Sequence, residues 1–467
     1  MKDLDIYIEI QGEQVKAGEI RAVGNAGSGG SGGSSGRTTA ATGVSDGADE
    51  CVFRYSKEYM SGMAVSSGMA GTAGMSGRAV RQGRPISISL PFQEEPFTPE
   101  QTRNFFSGLL PEGFMRRRVS ELAHVGEGDY TEILADLGSE CIGAIKAVEP
   151  GHAPKAAEYV KLSDDEIASL AGEGVVEASE LVMKAHLSLT GASGKVGLYL
   201  DPDTKEWYLP VGEAPSTHIV KQSHIRLGGI IANEQLCLMT ARKLGITVPD
   251  SFIIKMGGSR DSQVLLATER FDRKKMDGEH PISGHIKPFR LHQEDFAQAM
   301  GIPALDKYEA PGDHYLERAF KVLLDHSARP VEDQIKLWKI VIFDFLIGNT
   351  DNHIKNISLL YSERLDSCRL APAYDMLSTS IYEMSTDNMA FSIGGDMSIA
   401  DITRESFGRE AATVGINEAV AYRQVDRMAA SFVKALTASA NDLTEMGFAN
   451  AAEIKDRILE TGGIAKI

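Results

Sequence analysis

The amino-acid sequence predicts an α+β fold in which a β-rich N-terminal unit precedes a second strand-rich unit and a mostly helical C-terminal lobe. Its 467 residues exceed the roughly 250 to 300 that one hydrophobic core can serve. Short runs with the period-two alternation of strands are concentrated before about residue 290, and longer apolar runs with helical spacing follow. We therefore expect residues 1–150, 151–290 and 291–467 to form three packed units.

Composition is typical of an ordinary globular protein that stays in the cytoplasm. The residues are 42% hydrophobic and 24% charged, and no apolar run approaches the roughly 18 residues that a membrane span requires. The start, MKDLDIYIEI, alternates like a strand and lacks the basic and apolar regions of a secretory signal. A formal net charge of −17 argues against a surface that binds nucleic acid throughout. Contact with DNA would need a local basic patch or a partner protein.

The four cysteines are predicted to carry no chemistry. They lie far apart, form no C-x-x-C pair and have no histidine at metal-ligand spacing. We expect them to be small buried or half-buried side chains in a reducing compartment. Their positions are Cys51, Cys141, Cys237 and Cys368.

The N-terminal unit combines short strands with two segments that are too rich in small residues to order. Residues Gly24–Gly47 are dominated by glycine and serine. In Ser61–Gly83, methionines recur at a spacing of six that fits neither a helix nor a strand. Both segments should be loops. Strand-like runs occur at Ile6–Ile10, Val52–Tyr55 and Ile86–Leu90.

Capping signals predict where two helices of the first half begin. Thr98 supplies a capping hydroxyl, Pro99 suits the first helical turn, and Gln101 stands at the third helical position. Ser163, followed by three acidic residues, repeats this pattern. The polar segment Glu149–Glu158 lies between the two signals and is the expected unit boundary.

From about residue 180 the pattern reads strand, glycine turn, strand, helix and a hairpin of two more strands. The helix is expected over Asn233–Leu244. A second long helix is expected over Val331–Gly348, which is apolar on nearly every side and therefore buried. The expected strands are Leu187–Thr190, Lys195–Leu200, Thr217–Lys221, Ser251–Met256 and Val264–Phe271.

A polar cluster follows the buried helix and indicates phosphoryl transfer. The run Gly348–Asn356, GNTDNHIKN, precedes a strand-like run at Ile357–Tyr361. Phosphoryl transfer needs a carboxylate that accepts the hydroxyl proton and, about five residues later, an amide oxygen that holds magnesium. Asp351 and Asn356 have this spacing, and Asp375 would supply a metal carboxylate. Each acid alone is also compatible with a helix cap or a turn.

Three upstream features are candidates for contact with a nucleotide. The glycine-containing turn Ser188–Lys195 would let backbone N–H groups approach phosphate oxygens, although ordinary hairpins contain such turns too. Lys221 ends a strand and is either solvated or paired with Glu234 of the next helix, as in the strand-lysine and helix-glutamate pair of protein kinases. The segment Glu269–Arg273 has the position of a kinase hinge.

Taken in order, these residues resemble the HipA toxin kinases of bacterial type II toxin–antitoxin systems. The resemblance covers most of the chain. Its motifs are PISISLP (Pro85–Pro91), NFFSGLLP (Asn104–Pro111), SLTGASGK (Ser188–Lys195), STHIVK (Ser216–Lys221), Asn233–Pro249, ERFDR (Glu269–Arg273), RLHQEDFAQAMG (Arg290–Gly301), FLIGNTDNHIKNI (Phe345–Ile357) and Leu370–Asp375.

The resemblance implies a two-lobed fold related to protein and phosphoinositide kinases, with ATP and magnesium bound between the lobes. It implies that Asp351 is the catalytic base and that Asn356 and Asp375 bind magnesium. The residues that it assigns to the nucleotide site are Ser188, Gly191, Ala192, Ser193, Gly194, Lys195, Lys221, Glu269, Phe271 and His353.

The resemblance also implies a biological role. Family members phosphorylate a serine of an aminoacyl-tRNA synthetase, which halts translation, and autophosphorylation of the serine matching Ser188 switches the kinase off. Their partner is a small helix-turn-helix antitoxin, HipB-like, through which an acidic chain would associate with DNA. Two alternatives stay open: a catalytically silent corepressor bound to the antitoxin, and a kinase of a small molecule or lipid.

Overall fold

The computed structural model describes residues 1–23, 50–62, 84–152, 156–173, 179, 181, 183, 194–224, 227–275 and 281–467. The predicted loop Gly24–Gly47, nearly all of Ser61–Gly83 and the predicted strand Leu187–Thr190 lie outside the described residues.

The N-terminal part of the chain forms an antiparallel sheet with short helices. Its elements are β1 (Leu4–Ile10), β2 (Glu13–Ala22), β3 (Cys51–Tyr55), β4 (Ile145–Val148), α1 (Lys57–Met60), α2 (Pro99–Phe106), α3 (Gly113–Ala123) and α4 (Tyr130–Leu137). The strand order is β3-β2-β1-β4. Alternation along β1 points Leu4, Ile6 and Ile8 into the core. The strands predicted at Ile6–Ile10 and Val52–Tyr55 are confirmed.

The capping box predicted at Thr98 is present. Thr98 Oγ1 accepts a hydrogen bond from the Gln101 amide at 3.2 Å, and Gln101 Oε1 accepts one from the Thr98 amide at 3.0 Å. These two bonds satisfy N–H groups that the first helical turn leaves without partners. Helix α2 therefore begins at Pro99, as the sequence predicted.

The strand predicted at Ile86–Leu90 is wrong. These residues make a turn closed by an isolated bridge between Ser87 and Leu90. The Ser87 Oγ and the Ile88 N–H donate to the carboxylate of Glu294 at 2.5 and 3.1 Å. The Ile88 N–H, which a neighbouring strand would otherwise pair, is thus satisfied by a side chain that is distant in sequence. The alternation of residues in this segment does not indicate such a contact.

The middle of the chain forms a second antiparallel sheet beside two helices. Its elements are β5 (Glu158–Lys161), β6 (Lys195–Leu200), β7 (Trp207–Val211), β8 (His218–Gln222), β9 (Ser251–Lys255), β10 (Val264–Glu269), α5 (Asp164–Glu173) and α6 (Ile230–Lys243). The strand order is β5-β7-β6-β8-β10-β9. The predicted hairpin is confirmed as β9 paired with β10, and the helices predicted after Ser163 and over Asn233–Leu244 are confirmed as α5 and α6.

Helices dominate the last part of the chain, with small strand pairs between them. The strands are β11 (Arg273–Lys274), β12 (Phe289–Arg290), β13 (Gln293–Asp295), β14 (Ser358–Tyr361), β15 (Cys368–Leu370), β16 (Asn388–Ile393) and β17 (Asp396–Ser398). The helices are α7 (Phe296–Met300), α8 (Tyr315–His326), α9 (Pro330–Ile347), α10 (Arg404–Val414), α11 (Glu418–Glu445) and α12 (Ala451–Thr461). Short 3-10 helices cover Ser107–Leu109, Asp261–Gln263, Ala304–Asp306, Ile354–Asn356 and Gly463–Lys466.

Helix α9 is the buried helix that the sequence predicted. Trp338, Ile342 and Phe343 are fully buried in it. The helix ends at Gly348, whose φ of 67° is left-handed, and a Cβ there would lie 2.0 Å from Ser380 Oγ. Within the described ranges, no helix is long and apolar enough to cross a membrane. The four cysteines are buried and unbridged, as expected.

A buried ion cluster joins the N-terminal sheet to the rest of the chain. Arg290 is its centre: Nε donates to Glu140 at 2.7 Å and Nη1 to Glu9 at 3.1 Å. Glu140 Oε1 also accepts a hydrogen bond from Arg273 Nη2 at 2.7 Å. Arg273 Nη1 lies 3.0 Å from Asp272 Oδ2. Because these partners come from both sides of residue 150, the first part of the chain packs against the others. The unit boundaries at residues 150 and 290 stay predictions.

Candidate active site

The loop of residues 349–356 follows α9 and is held by hydrogen bonds to a buried carboxylate of that helix. Asp344 Oδ1 accepts a hydrogen bond from Asn349 Nδ2 at 3.0 Å, and its Oδ2 accepts one from Asn352 Nδ2. Asn349 Oδ1 then accepts from the Asp351 amide at 3.2 Å. The fold of the loop is therefore anchored to the last turn of α9, and this anchoring fixes where Asp351 stands.

Stability should depend on pH through Asp344. Burial raises the pKa of Asp344 to about 7, although hydrogen bonds from Asn349 and Asn352 oppose the rise. Because the folded chain binds this proton more tightly than the unfolded chain, its stabilising contribution is present at low pH and is lost as the pH rises towards 7. Between pH 5.5 and pH 8 the loss should amount to roughly 2 kcal/mol.

Urea titrations of the wild type and Asp344→Asn at both pH values measure this contribution. The variant lacks the titrating group, so its free energy of unfolding should fall by roughly 2 kcal/mol less than that of the wild type. The exposed Asp401 offers a control, since Asp401→Asn should follow the wild type. Equal losses in wild type and Asp344→Asn would contradict the assignment.

Asp351 lies at the exposed edge of the loop. Its backbone carbonyl is hydrogen-bonded within the loop, and its carboxylate contacts a residue from another part of the chain. Its carbonyl accepts hydrogen bonds from the His353 amide at 2.9 Å and from Asn356 Nδ2 at 3.0 Å. The Tyr308 phenol donates to its Oδ1. Burial by the surrounding atoms raises the pKa of Asp351, the hydrogen bond from Tyr308 lowers it, and the charge of Asp375 raises it further. Asp351 and Asn356 are thus brought together, as their spacing predicted.

His353 is buried beside this carboxylate. Its ring meets the Tyr308 ring edge-on, with centroids 5.2 Å apart. Burial, with a smaller contribution from the positive charge of Lys307, lowers the pKa of His353 to about 3, so the imidazole is neutral near pH 7. Its Nδ1 has no hydrogen-bond partner within the described part of the chain.

Lys355 ties the loop to the N-terminal part of the chain. Its buried Nζ donates to Asp295 Oδ2 at 2.7 Å and to the Gly108 carbonyl at 3.3 Å, and lies 3.5 Å from Glu112 Oε1. Glu112 also pairs with Lys307 at 2.8 Å. The position of the loop therefore depends on residues contributed by the first 150 of the chain.

Asp375 meets Lys221 across the two lobes. Lys221 Nζ contacts Asp375 Oδ1 and lies 2.7 Å from Glu234 Oε1, so the predicted pair of Lys221 and Glu234 is present. Asp375 has a φ of 57°, a left-handed conformation that non-glycine residues rarely adopt. The residues on either side of it, Tyr374 and Met376, line a small cavity together with Asn356. The three predicted site residues of the helical lobe thus lie in one region.

The charges of this cluster stabilise one another. Burial alone would raise the pKa of Asp375, but the ammonium groups of Lys221 and Lys195 hold it well below its usual range. Burial alone would lower the pKa of Lys221, but Asp375 and Glu234 hold it above its usual range. Burial raises the pKa of Glu234, against the opposing effect of Lys221. An ionised Asp375 beside a charged Lys221 is the state near pH 7.

The predicted glycine turn is only partly described. Ser188, Gly191, Ala192 and Ser193 lie outside the described residues. Gly194 is buried, and Lys195 begins β6, where it pairs with Lys221 of β8. Burial lowers the pKa of Lys195, and the charge of Asp375 opposes this. Among the described residues, Lys195 Nζ has no hydrogen-bond or ion-pair partner.

The predicted hinge residues stand at the end of β10. Glu269 pairs with His218 and Leu266 pairs with Lys221, so alternation places the Glu269 side chain on the sheet face opposite Lys221. Its backbone N–H donates to the Asp250 carbonyl at 2.8 Å. The Phe271 ring packs against Tyr374, with centroids 5.7 Å apart, so the hinge touches the residue that precedes Asp375.

Sequence reasoning missed three residues of this site. Asp344 carries a usable signal, since it is the acid within the apolar run Ile340–Ile347. Lys355 carries a weaker signal, which is its position between an apolar and a polar residue of the loop motif. Tyr308 carries none, because its contact with Asp351 joins two segments that no periodicity relates.

The sequence of the chain is similar to that of known proteins. Residues 187–436 match the family model described as the HipA-like C-terminal domain, and residues 75–148 match the HipA N-terminal domain. Two proteins of Sinorhizobium fredii named as candidate kinases are similar in sequence. Y4mE is 30% identical over 392 residues, 82% of this chain and 89% of that protein. Y4dM is 28% identical over 324 residues, 67% of this chain and 71% of that protein.

A solved structure has the same architecture. HipA of Shewanella oneidensis, solved in complex with HipB and its operator DNA, superposes with a TM-score of 0.72 at 21% identity, covering 98% of this chain and 96% of that chain. This likeness confirms the predicted α+β, two-lobed, HipA-like fold. With both family models matched and 30% identity to a relative over 82% of this chain, the chain belongs to the HipA family.

Proposed function

We propose that this protein is an ATP- and magnesium-dependent serine/threonine protein kinase that acts as the toxin of a type II toxin–antitoxin pair. The observation that carries the proposal is the contact of Lys221 with both Glu234 and Asp375. It joins the lobes where protein kinases hold the phosphates of their nucleotide. Asp351 and Asn356 lie on the loop beside it.

Two features of the cleft fit a bound phosphate chain. Lys195 is a half-buried cation for which the described residues supply no direct partner, and His353 Nδ1 is a buried polar atom in the same condition. Buried polar and charged groups are costly when unpaired. Phosphate oxygens of ATP would supply the acceptors that Lys195 lacks and a further acceptor for Lys221, which already contacts Glu234 and Asp375.

Asn356 and Asp375 fit a magnesium ion. The Asn356 amide nitrogen is engaged with the Asp351 carbonyl at 3.0 Å, which leaves Oδ1 as the atom that can face a cation. Asp375 is held ionised by Lys221 and Lys195. Within the described ranges, no group of three or more His, Cys, Asp and Glu side chains is arranged to hold a metal ion. Magnesium requires no such group, since phosphate oxygens and water complete its coordination.

These residues divide the work of phosphoryl transfer. ATP with magnesium would supply the γ-phosphoryl group, whose bond to the β,γ-bridging oxygen breaks as the bond to the acceptor oxygen forms. The Asp351 carboxylate orients the acceptor hydroxyl and receives its proton. The ammonium groups of Lys221 and Lys195 stabilise the negative charge of the phosphates. Glu234 positions Lys221 through their ion pair.

The proposed partner is a HipB-like helix-turn-helix antitoxin, and DNA would be reached through it. Support comes from the Shewanella relative, which was solved with HipB and operator DNA, and from the net charge of −17, which disfavours a chain that binds DNA by itself. The proposed acceptor is a serine of a translation enzyme such as an aminoacyl-tRNA synthetase, in the cytoplasm. Autophosphorylation of Ser188 would switch the kinase off.

Phosphoproteomics after expression in bacteria tests this function. Wild-type protein should produce one dominant new phosphoserine in a translation enzyme and a second at Ser188, whereas Asp375→Ala should produce neither, because the metal carboxylate is gone. Identical phosphoproteomes would refute the kinase toxin and favour a silent corepressor. Label from γ-labelled ATP that appears only in a lipid or metabolite fraction would favour the small-molecule kinase.

A further inference from the structure

Tyr308 contacts the carboxylate of Asp351 from outside the 349–356 loop. Its phenol oxygen donates to Asp351 Oδ1, and its ring packs edge-on to His353. A hydroxyl that donates to the catalytic carboxylate is the arrangement that phosphoryl transfer requires of its acceptor. The phenol of Tyr308 therefore occupies the place of the group that would be phosphorylated.

The surroundings of Tyr308 let it leave this place while the fold stays intact. It lies between the 3-10 helix Ala304–Asp306 and α8, and 48% of it is exposed. Neighbours on both sides anchor the backbone: Lys307 pairs with Glu112 at 2.8 Å, and Glu309 accepts from the Tyr315 amide at 3.0 Å. Rotation of one half-exposed side chain exposes little further apolar area.

We infer that Tyr308 is an intramolecular placeholder for the acceptor hydroxyl, which has to be displaced before any acceptor reaches Asp351. The inference rests on the proposed kinase activity and adds to it a determinant of acceptor entry. Only the fraction of molecules with Tyr308 swung away is competent for transfer. Removal of the phenol hydroxyl should therefore speed transfer and leave nucleotide binding unchanged.

ATP hydrolysis by the purified chain provides the readout, with water as the acceptor. In this reaction the bond from the water oxygen to the γ-phosphorus forms, the bond to the β,γ-bridging oxygen breaks, ADP leaves and a proton of the water passes to Asp351. Tyr308→Phe keeps the ring and removes the hydroxyl. Its kcat for hydrolysis should rise roughly five- to tenfold, with KM for ATP within about twofold of wild type.

Tyr208→Phe is the matched control. The Tyr208 phenol donates to Glu206 at 3.1 Å, so the change removes a tyrosine–carboxylate hydrogen bond that involves no residue of the candidate site and should alter neither constant. Tyr308→Ala opens the place further and should raise kcat at least as much as Tyr308→Phe. Thermal melting of each variant reports whether it has folded.

The outcomes separate this inference from the proposed function. Wild-type hydrolysis that Asp351→Asn abolishes but Tyr308→Phe and Tyr308→Ala leave unchanged or slower would overturn the placeholder and keep the kinase. Phosphate found on Tyr308 itself by mass spectrometry would also overturn it, because the residue would then be an acceptor. No ATP turnover in any of the proteins would overturn both.

Discussion

Replacing Asp351 with asparagine is expected to slow phosphoryl transfer by roughly 10²- to 10⁴-fold, the range contributed by a positioned general base. The amide has nearly the shape of the carboxylate but cannot take up the acceptor proton. The hydrogen bonds from His353 and Asn356 reach the backbone carbonyl of Asp351, so they persist in the variant. The loop should keep its conformation, and the loss should fall on chemistry.

Transfer of label from γ-labelled ATP measures the rate, and calorimetric titration with ATP and magnesium measures binding. The dissociation constant should stay within a few-fold of wild type, because Lys195, Lys221, Asn356 and Asp375 are retained. Asp325→Asn is the control, since Asp325 pairs with Lys321 at 2.8 Å on the surface and should transfer at the wild-type rate. Undiminished transfer by Asp351→Asn would remove Asp351 from the mechanism.

Arg290→Met is expected to lower the free energy of unfolding by about 3 to 5 kcal/mol, the usual cost of breaking a buried ion pair on one side. Arg290 is fully buried, and it contacts Glu9 of β1, Glu140 and the Glu213 carbonyl. Methionine fills much of the volume of the arginine side chain but donates no hydrogen bond and carries no charge. Glu9 and Glu140 would then lose a charged partner out of reach of water. Glu140 would keep Arg270 and Arg273.

Urea unfolding followed by tryptophan fluorescence is the measurement. Trp207 lies in β7 and Trp338 in α9, so the two residues report on different lobes. Arg404→Met makes the same change in an exposed pair, where Arg404 contacts Asp426 at 2.8 and 3.0 Å, and should lower the free energy of unfolding far less than Arg290→Met, because water screens the exposed charges. Similar losses in the two variants would show that burial of the Arg290 cluster contributes no special stability.

Much of the fold follows from local sequence patterns. The strands β1 and β3, the capping box of α2 and the buried helix α9 were predictable because each depends on residues a few positions apart. The segment Ile86–Leu90 was not, because its alternation is that of a strand while its hydrogen bonds go to Glu294, more than 200 residues away. Local pattern and long-range pairing disagree there, and pairing decides the structure.

The candidate site divides in the same way. The spacing within the 349–356 loop pointed to Asp351 and Asn356 because both stand on one short segment. The pairing of Lys221 with Glu234 was predicted only by analogy with protein kinases and is present. The contact of Lys221 with Asp375 and the support that Lys355 receives from Glu112 join residues more than 150 positions apart.

The sequence by itself determined the fold class, most elements and the polar segments that carry the chemistry. Tertiary structure alone decided which charges meet: Asp375 with Lys221, Tyr308 with Asp351, and Arg290 with Glu9 and Glu140. The physical reason is the range of the interactions. Periodicity and capping report on the faces and ends of single elements, whereas hydrogen bonds between distant elements form only after packing has brought donor and acceptor within about 3 Å.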